Sequence, residues 1–182
     1  MRTLAVAAIA LLLATPVAVA ESAYTKLDLD ACDVLAEHED GGRDLRCPGY
    51  EDVDVFVSEG DARTDIDFGS ESDAFETFFA FNGPGETIEW MLDGNGALYA
   101  AAIRFFIDVD NRKAQALVVS RIGTDGEPGC VVGVVDAAAD QANGIARGLG
   151  AMARYFDCTI DPVVIVPGAS ELVSGFGGAN QP

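Results

Sequence analysis

Asp93-Gly94-Asn95-Gly96, followed by Leu98-Tyr99-Ala100-Ala101-Ala102-Ile103-Arg104-Phe105-Phe106-Ile107, is the stretch that sets the architecture. Asp-Gly and Asn-Gly accept positive φ, so the tetrapeptide reads as a hairpin turn. Leu98 to Ile107 is nearly all apolar and reads as a long apolar strand. Thr87 to Leu92 is the strand on the other side of the turn. Asp110-Asn111 turns the chain again into Ala114 to Ile122, so the middle of the sequence reads as an antiparallel meander.

The same reading extends toward the N-terminus. Val53, Val55 and Val57 alternate with polar residues, as do Ile66 and Phe68 with Asp65 and Asp67, giving two half-buried strands joined near Glu59-Gly60. On this pattern Asp65 and Asp67 face solvent. Phe75, Phe78 and Phe79 fall at helical spacing, and Asn82-Gly83-Pro84-Gly85 reads as a turn.

Toward the C-terminus, Cys130 opens the apolar run Val131 to Val135. Ala142, Ile145, Ala146, Leu149, Met152, Ala153 and Phe156 then recur at intervals of three and four, predicting one long amphipathic helix over 140–156 with Asp140 as its cap. Val163 to Val166 adds an edge strand. Gly168 to Pro182 is rich in Gly, Ser and Asn and reads as a flexible tail. The expected fold is therefore α+β. A mainly antiparallel sheet of about seven to nine strands carries the long C-terminal helix on one face.

Residues 1–20 have the pattern of a signal peptide. Arg2 precedes an apolar run too short to span a bilayer, and Ala18-Val19-Ala20 is a small-x-small cleavage site. An uncleaved N-terminal anchor is the alternative. No cysteine stands at the cut site for lipid attachment, and no second long apolar segment follows. The expected product is a periplasmic or secreted domain, 21–167, not inserted in a membrane after cleavage, with the tail 168–182 beyond it.

Four cysteines in an exported chain imply two disulfides, with three possible connectivities. Cys32 and Cys47 flank the turn-rich Glu39-Asp40-Gly41-Gly42, which places them opposite each other across a hairpin. A strand starting at Cys130 and a helix ending near Cys158 cover similar lengths in opposite senses, which brings those two together. The pairs are therefore Cys32–Cys47 and Cys130–Cys158.

The net charge of −19 makes nucleic acid an improbable partner and a basic or envelope protein a natural one. His38, the single histidine, lies among Glu37, Glu39 and Asp40, surroundings that suit a charged surface residue better than a catalytic base. One histidine excludes multi-histidine zinc sites. For calcium, the oxygen-bearing groups are Asp61, Asp65 and Asp67, with further clusters at Asp28, Asp30 and Asp33 and at Asp108, Asp110 and Asn111. None has the twelve-residue calcium-loop pattern, and no other cofactor is expected. Arg104, a charge inside an apolar strand, is a candidate anion or carboxylate ligand. Its alternative is an internal ion pair. Trp90 is a candidate groove residue or a core residue.

Cys47-Pro48-Gly49-Tyr50, the run Val55-Phe56-Val57-Ser58-Glu59-Gly60-Asp61-Ala62-Arg63 and Pro128-Gly129-Cys130 together resemble the core of a group of small exported bacterial proteins. That group carries no assigned activity, so the resemblance implies export and transfers no catalytic role. The function expected from the sequence is a non-enzymatic exported binding or accessory protein, binding an envelope protein or inhibiting an enzyme. The alternatives are a carboxylate-based hydrolase or carbohydrate binder, and a calcium-stabilised structural domain. The sequence sets no oligomeric state.

Overall fold

A computed structural model describes residues 21–39, 41–124 and 126–178. Residues 1–20, expected as a signal peptide, Asp40, Asp125 and residues 179–182 of the expected tail lie outside the described residues. Twelve strands form three sheets among the described residues. β1 (Glu21–Lys26), β7 (Phe81–Leu92), β8 (Leu98–Val109), β9 (Arg112–Arg121), β10 (Cys130–Asp136) and β11 (Val164–Ile165) make a six-stranded sheet in that order. β2 (Asp33–Glu37), β3 (Arg43–Tyr50), β4 (Val53–Gly60) and β5 (Arg63–Phe68) make a four-stranded antiparallel meander. β6 (Thr77–Phe78) and β12 (Phe176–Gly177) pair as a short ribbon.

The two larger sheets pack face to face. Val55, Val57, Ile66 and Phe68 of the small sheet meet Ile88, Trp90, Ile103 and Phe105 of the large one in one buried cluster. The opposite face of the large sheet holds a second cluster, in which Met91, Ala100, Ala102 and Val119 lie under Ala146, Leu149 and Ala153 of α1 (Ala142–Met152) and the turn that follows it. β8 is thus buried on both sides along Ala100–Ile103. Its continuous apolar sequence follows directly from that position.

The turns have local causes. Asp61 and Ala62 (φ 53° and 55°) join β4 to β5, and Asp110 and Asn111 (φ 51° and 62°) join β8 to β9. Two consecutive positive φ values match the right-handed twist of a hairpin. At the Asp93 turn, Asp93 Oδ1 accepts from the backbone N–H of Asn95 and Ala97, while Gly96 supplies φ 81°. The disulfides join Cys32 to Cys47 and Cys130 to Cys158. Asp33 pairs with Arg46 across β2–β3, so Cys32 and Cys47 occupy the next step of that register.

The α+β expectation with a long C-terminal helix is overturned: the described residues are mostly β, 53% strand against 13% helical. Its main helix is 14 residues including the 3-10 turn Ala153–Tyr155. Asp140 does not cap it; Gln141 stands at the N-cap in a left-handed conformation with no side-chain cap bond. The Phe75–Phe79 stretch forms no helix, because Thr77 Oγ1 bonds Thr64 O and the chain there pairs with β12. Asn82–Gly85 is no turn. It runs within β7, and the register with β8 shifts between Pro84 and Ile88. The segment from Gly168, expected as a flexible tail, instead carries α2 (Glu171–Ser174) and β12, with Val173 and Phe176 buried.

Two glycines give an opposed pair of expectations. A Cβ at Gly148, on α1, meets nothing within 4 Å, so Gly148→Ala is expected to raise stability by about 1 kcal/mol through helix propensity. A Cβ at Gly133 would stand 2.9 Å from Val164 O and 2.8 Å from Leu149 Cδ1. Gly133→Ala is expected to cost about 1–3 kcal/mol, since the β11 backbone must move. Urea denaturation of both variants measures the contrast; equal effects of one sign would refute this account of the packing.

Candidate functional site

In a chain with thirty acidic residues, a cation without an acidic partner is the exception. Lys26, Arg43, Arg46, Arg63, Arg112, Lys113, Arg121, Arg147 and Arg154 each have a carboxylate oxygen within 4.0 Å. Arg104 is the one Lys or Arg among the described residues with no such pair. Its only described polar contact is Nη1 donating to Gln115 Oε1 at 3.1 Å. The internal ion pair considered from the sequence is absent among the described residues.

Strand geometry places this guanidinium. Along β8, Ala101, Ile103, Phe105 and Ile107 face the sandwich core. Arg104 and Phe106 therefore continue the opposite face, beyond Ala100 and Ala102. α1 covers Ala100 and Ala102 and stops short of Phe106, which is 49% exposed. Two cavities of about 610 and 550 Å³ lie here and meet at Arg104 and Phe106. The first has Tyr24, Glu89 and Arg147 on its wall, the second Lys113, Asp136 and Ser170.

The wall groups have partners of their own; Asp136, with no cation beside it among the described residues, accepts from the backbone N–H of Ala138 and of Ser170, each at 2.9 Å. Arg147 Nε donates to Glu89 Oε1 at 2.6 Å and Nη2 to Tyr24 Oη at 3.1 Å, while Ser22 Oγ donates to the same Glu89 oxygen. Lys113 faces Asp108 at 3.0 Å. A guanidinium has five N–H donors in a planar fork, and Gln115 accepts from one nitrogen. What remains is an open fork beside an exposed ring, suited to a carboxylate.

Trp90, the other candidate ligand residue, is no groove residue. It is fully buried, packs edge-on against Phe68 with ring centroids 5.4 Å apart, and donates Nε1–H to Thr25 Oγ1 at 2.8 Å. His38 sits exposed at the β2–β3 turn, 3.0 Å from Asp44.

Asp61, Asp65 and Asp67 do not come together as a set. Asp61 lies in the β4–β5 turn and pairs with Arg63. Asp65 and Asp67 are buried, 4% and 9% exposed, which overturns the solvent-facing reading of β5. The chain after β5 folds back over them: Ser72 N–H donates to Asp67 Oδ2 at 2.8 Å. Glu76, missed by sequence reasoning, is equally buried, and its Oε2 accepts from Val131 N–H at 2.9 Å. Among the described residues no three His, Cys, Asp or Glu side chains are set to hold a metal ion. Neither Asp65 nor Asp67 lines any of the five main cavities. No described helix is long and apolar enough to cross a membrane. A comparison with known protein families, curated proteins and solved structures finds no match.

Burial dominates the acid–base behaviour of the β5 pair. It holds Asp65 well above the usual carboxylate range, with the Asp67 charge adding to the effect. It raises Asp67 to about 7 against the pull of the Ser72 N–H, and the charges of Glu76 and Glu71 add to it. The folded chain thus keeps protons that the unfolded chain releases above about pH 4. Stability from these groups is therefore fullest below about pH 4 and falls as pH rises toward 7. Asp67→Asn, which keeps an acceptor for Ser72, is expected to remove part of that fall, roughly 4 kcal/mol at most. Urea midpoints from about pH 4.5 to pH 8 measure it; an unchanged slope in the variant contradicts the assignment.

Proposed function

We propose that this chain is an exported, non-enzymatic binding protein whose groove at Arg104 holds a ligand through a carboxylate. One observation carries the reading: the single described cation without a carboxylate partner lies where two cavities meet. In so acidic a protein an arginine finds an internal acid easily, so one whose described polar partner is a neutral amide stands apart. Gln115, a neutral acceptor, orients the guanidinium without neutralising it. The cavity volumes fall in the range of small-molecule sites.

Export is supported by the signal pattern of residues 1–20, by the two disulfides and by the resemblance carried by Cys47–Tyr50 and Val55–Arg63. The non-enzymatic reading is supported by where the carboxyls of raised proton affinity lie, away from the groove at Arg104. The carboxyls with raised proton affinity are enclosed in the fold, and His38 stands on a hairpin tip. A binding role needs neither.

The test uses a series of simple acids, each with its neutral amide. Amide-proton NMR shifts are recorded for the mature chain titrated with acetate, benzoate and 2-naphthoate and with their amides. At least one acid is expected to move the signals of Arg104, Gln115 and Phe106, with Arg104→Gln abolishing the effect. If acids and amides act alike, or if none perturbs the groove, the carboxylate reading fails.

A further inference from the structure

An exposed phenylalanine is common on protein surfaces and by itself signifies nothing. Phe106 differs in what surrounds it. It stands two residues from Arg104 on the same strand face, so the two side chains leave the sheet about 7 Å apart. Across the ladder Phe106 is opposite Gln115, the residue that holds Arg104 Nη1. Ring, amide and guanidinium therefore form one corner of the groove, with the amide fixing the guanidinium beside the ring.

The other neighbouring strand contributes no side chain at the corresponding places. Gly83 is directly opposite Phe106, and a Cβ there would meet nothing within 4 Å. A Cβ at Gly85 would stand 3.3 Å from Phe106 Cε2 and 3.6 Å from Arg104 Cβ, so the ring lies across the bare backbone of Gly85. The result is a shelf made of an aromatic ring and glycine backbone, one ring wide and adjoining the open guanidinium. An aliphatic floor would accept any apolar chain, whereas an exposed ring discriminates in favour of planar π-systems.

We infer that the groove is specific for aromatic monocarboxylates, the ring of the ligand packing on Phe106 and its carboxylate bridging to Arg104. The inference rests on the carboxylate reading above and adds the chemical class of the ligand body. Tyr24, which is 57% exposed, lines the same groove and adds a second exposed ring to its wall.

The test compares 2-naphthoate, its saturated counterpart decahydro-2-naphthoate and 2-naphthamide by calorimetric titration. The proteins are the mature wild-type chain and the variant Phe106→Leu, with circular dichroism confirming the fold of each. Wild type is expected to bind 2-naphthoate about three- to tenfold more tightly than the saturated acid, the scale of an aromatic pair beyond its buried area. Phe106→Leu is expected to lose that preference while still favouring acid over amide. Equal affinity for the two acids in wild type, or full aromatic preference in Phe106→Leu, overturns the ring assignment and leaves the carboxylate site standing. Equal binding of acid and amide, or no binding of any probe, overturns both.

Discussion

The double burial of β8 is the constraint on which the molecule depends. One face of this strand closes the sandwich and the other receives α1, so its central residues have no solvent side. Both demands are met by Ala100, Ala101, Ala102 and Ile103. The small residues facing the helix let α1 lie close, while Ile103 and Phe105 fill the wider space between the sheets. The helix ends before the strand does. The uncovered remainder of β8 is where Arg104 and Phe106 emerge, so the groove is the place where the third layer runs out.

Features encoded locally were legible in the sequence. The Asp93–Gly96 and Asp110–Asn111 turns depend on residues that tolerate positive φ, and β4, β5 and β8 follow from period-two and continuous apolar patterns. The disulfide partners follow from hairpin register and from the matched lengths of β10 and α1. Features decided by distant segments were not legible. The spacing of Phe75, Phe78 and Phe79 suggests a helix until β12 is known to pair with Thr77 and Phe78. Asp65 and Asp67 look like a wetted strand face until the segment through Ser72 and Glu76 closes over them. Gly-rich composition suggested a free tail, yet Val173 and Phe176 supply enough apolar surface to fix it.

The candidate site shows the same division. Arg104 is conspicuous in the sequence as the only charge within its apolar run. Its lack of an acidic partner is not, because that depends on every carboxylate the fold brings near or keeps away. Gln115 and Phe106 are unremarkable residues in sequence and acquire meaning only through the β8–β9 register.

The edge position of β1 has a consequence for how the chain assembles. Glu21 pairs with Leu92 and Lys26 with Thr87, so β1 closes onto a strand that follows the whole four-stranded meander. The four-stranded meander lies between them in sequence and pairs only with its own neighbours. Domains form from such local units first, and non-local pairings close later because of the loop entropy they carry. β1 is therefore a clasp along the edge of β7, and its pairing carries the loop entropy of the whole intervening chain. Tyr24, which lines one wall of the groove, is placed there by that edge pairing, so this wall depends on a contact closed across the whole meander.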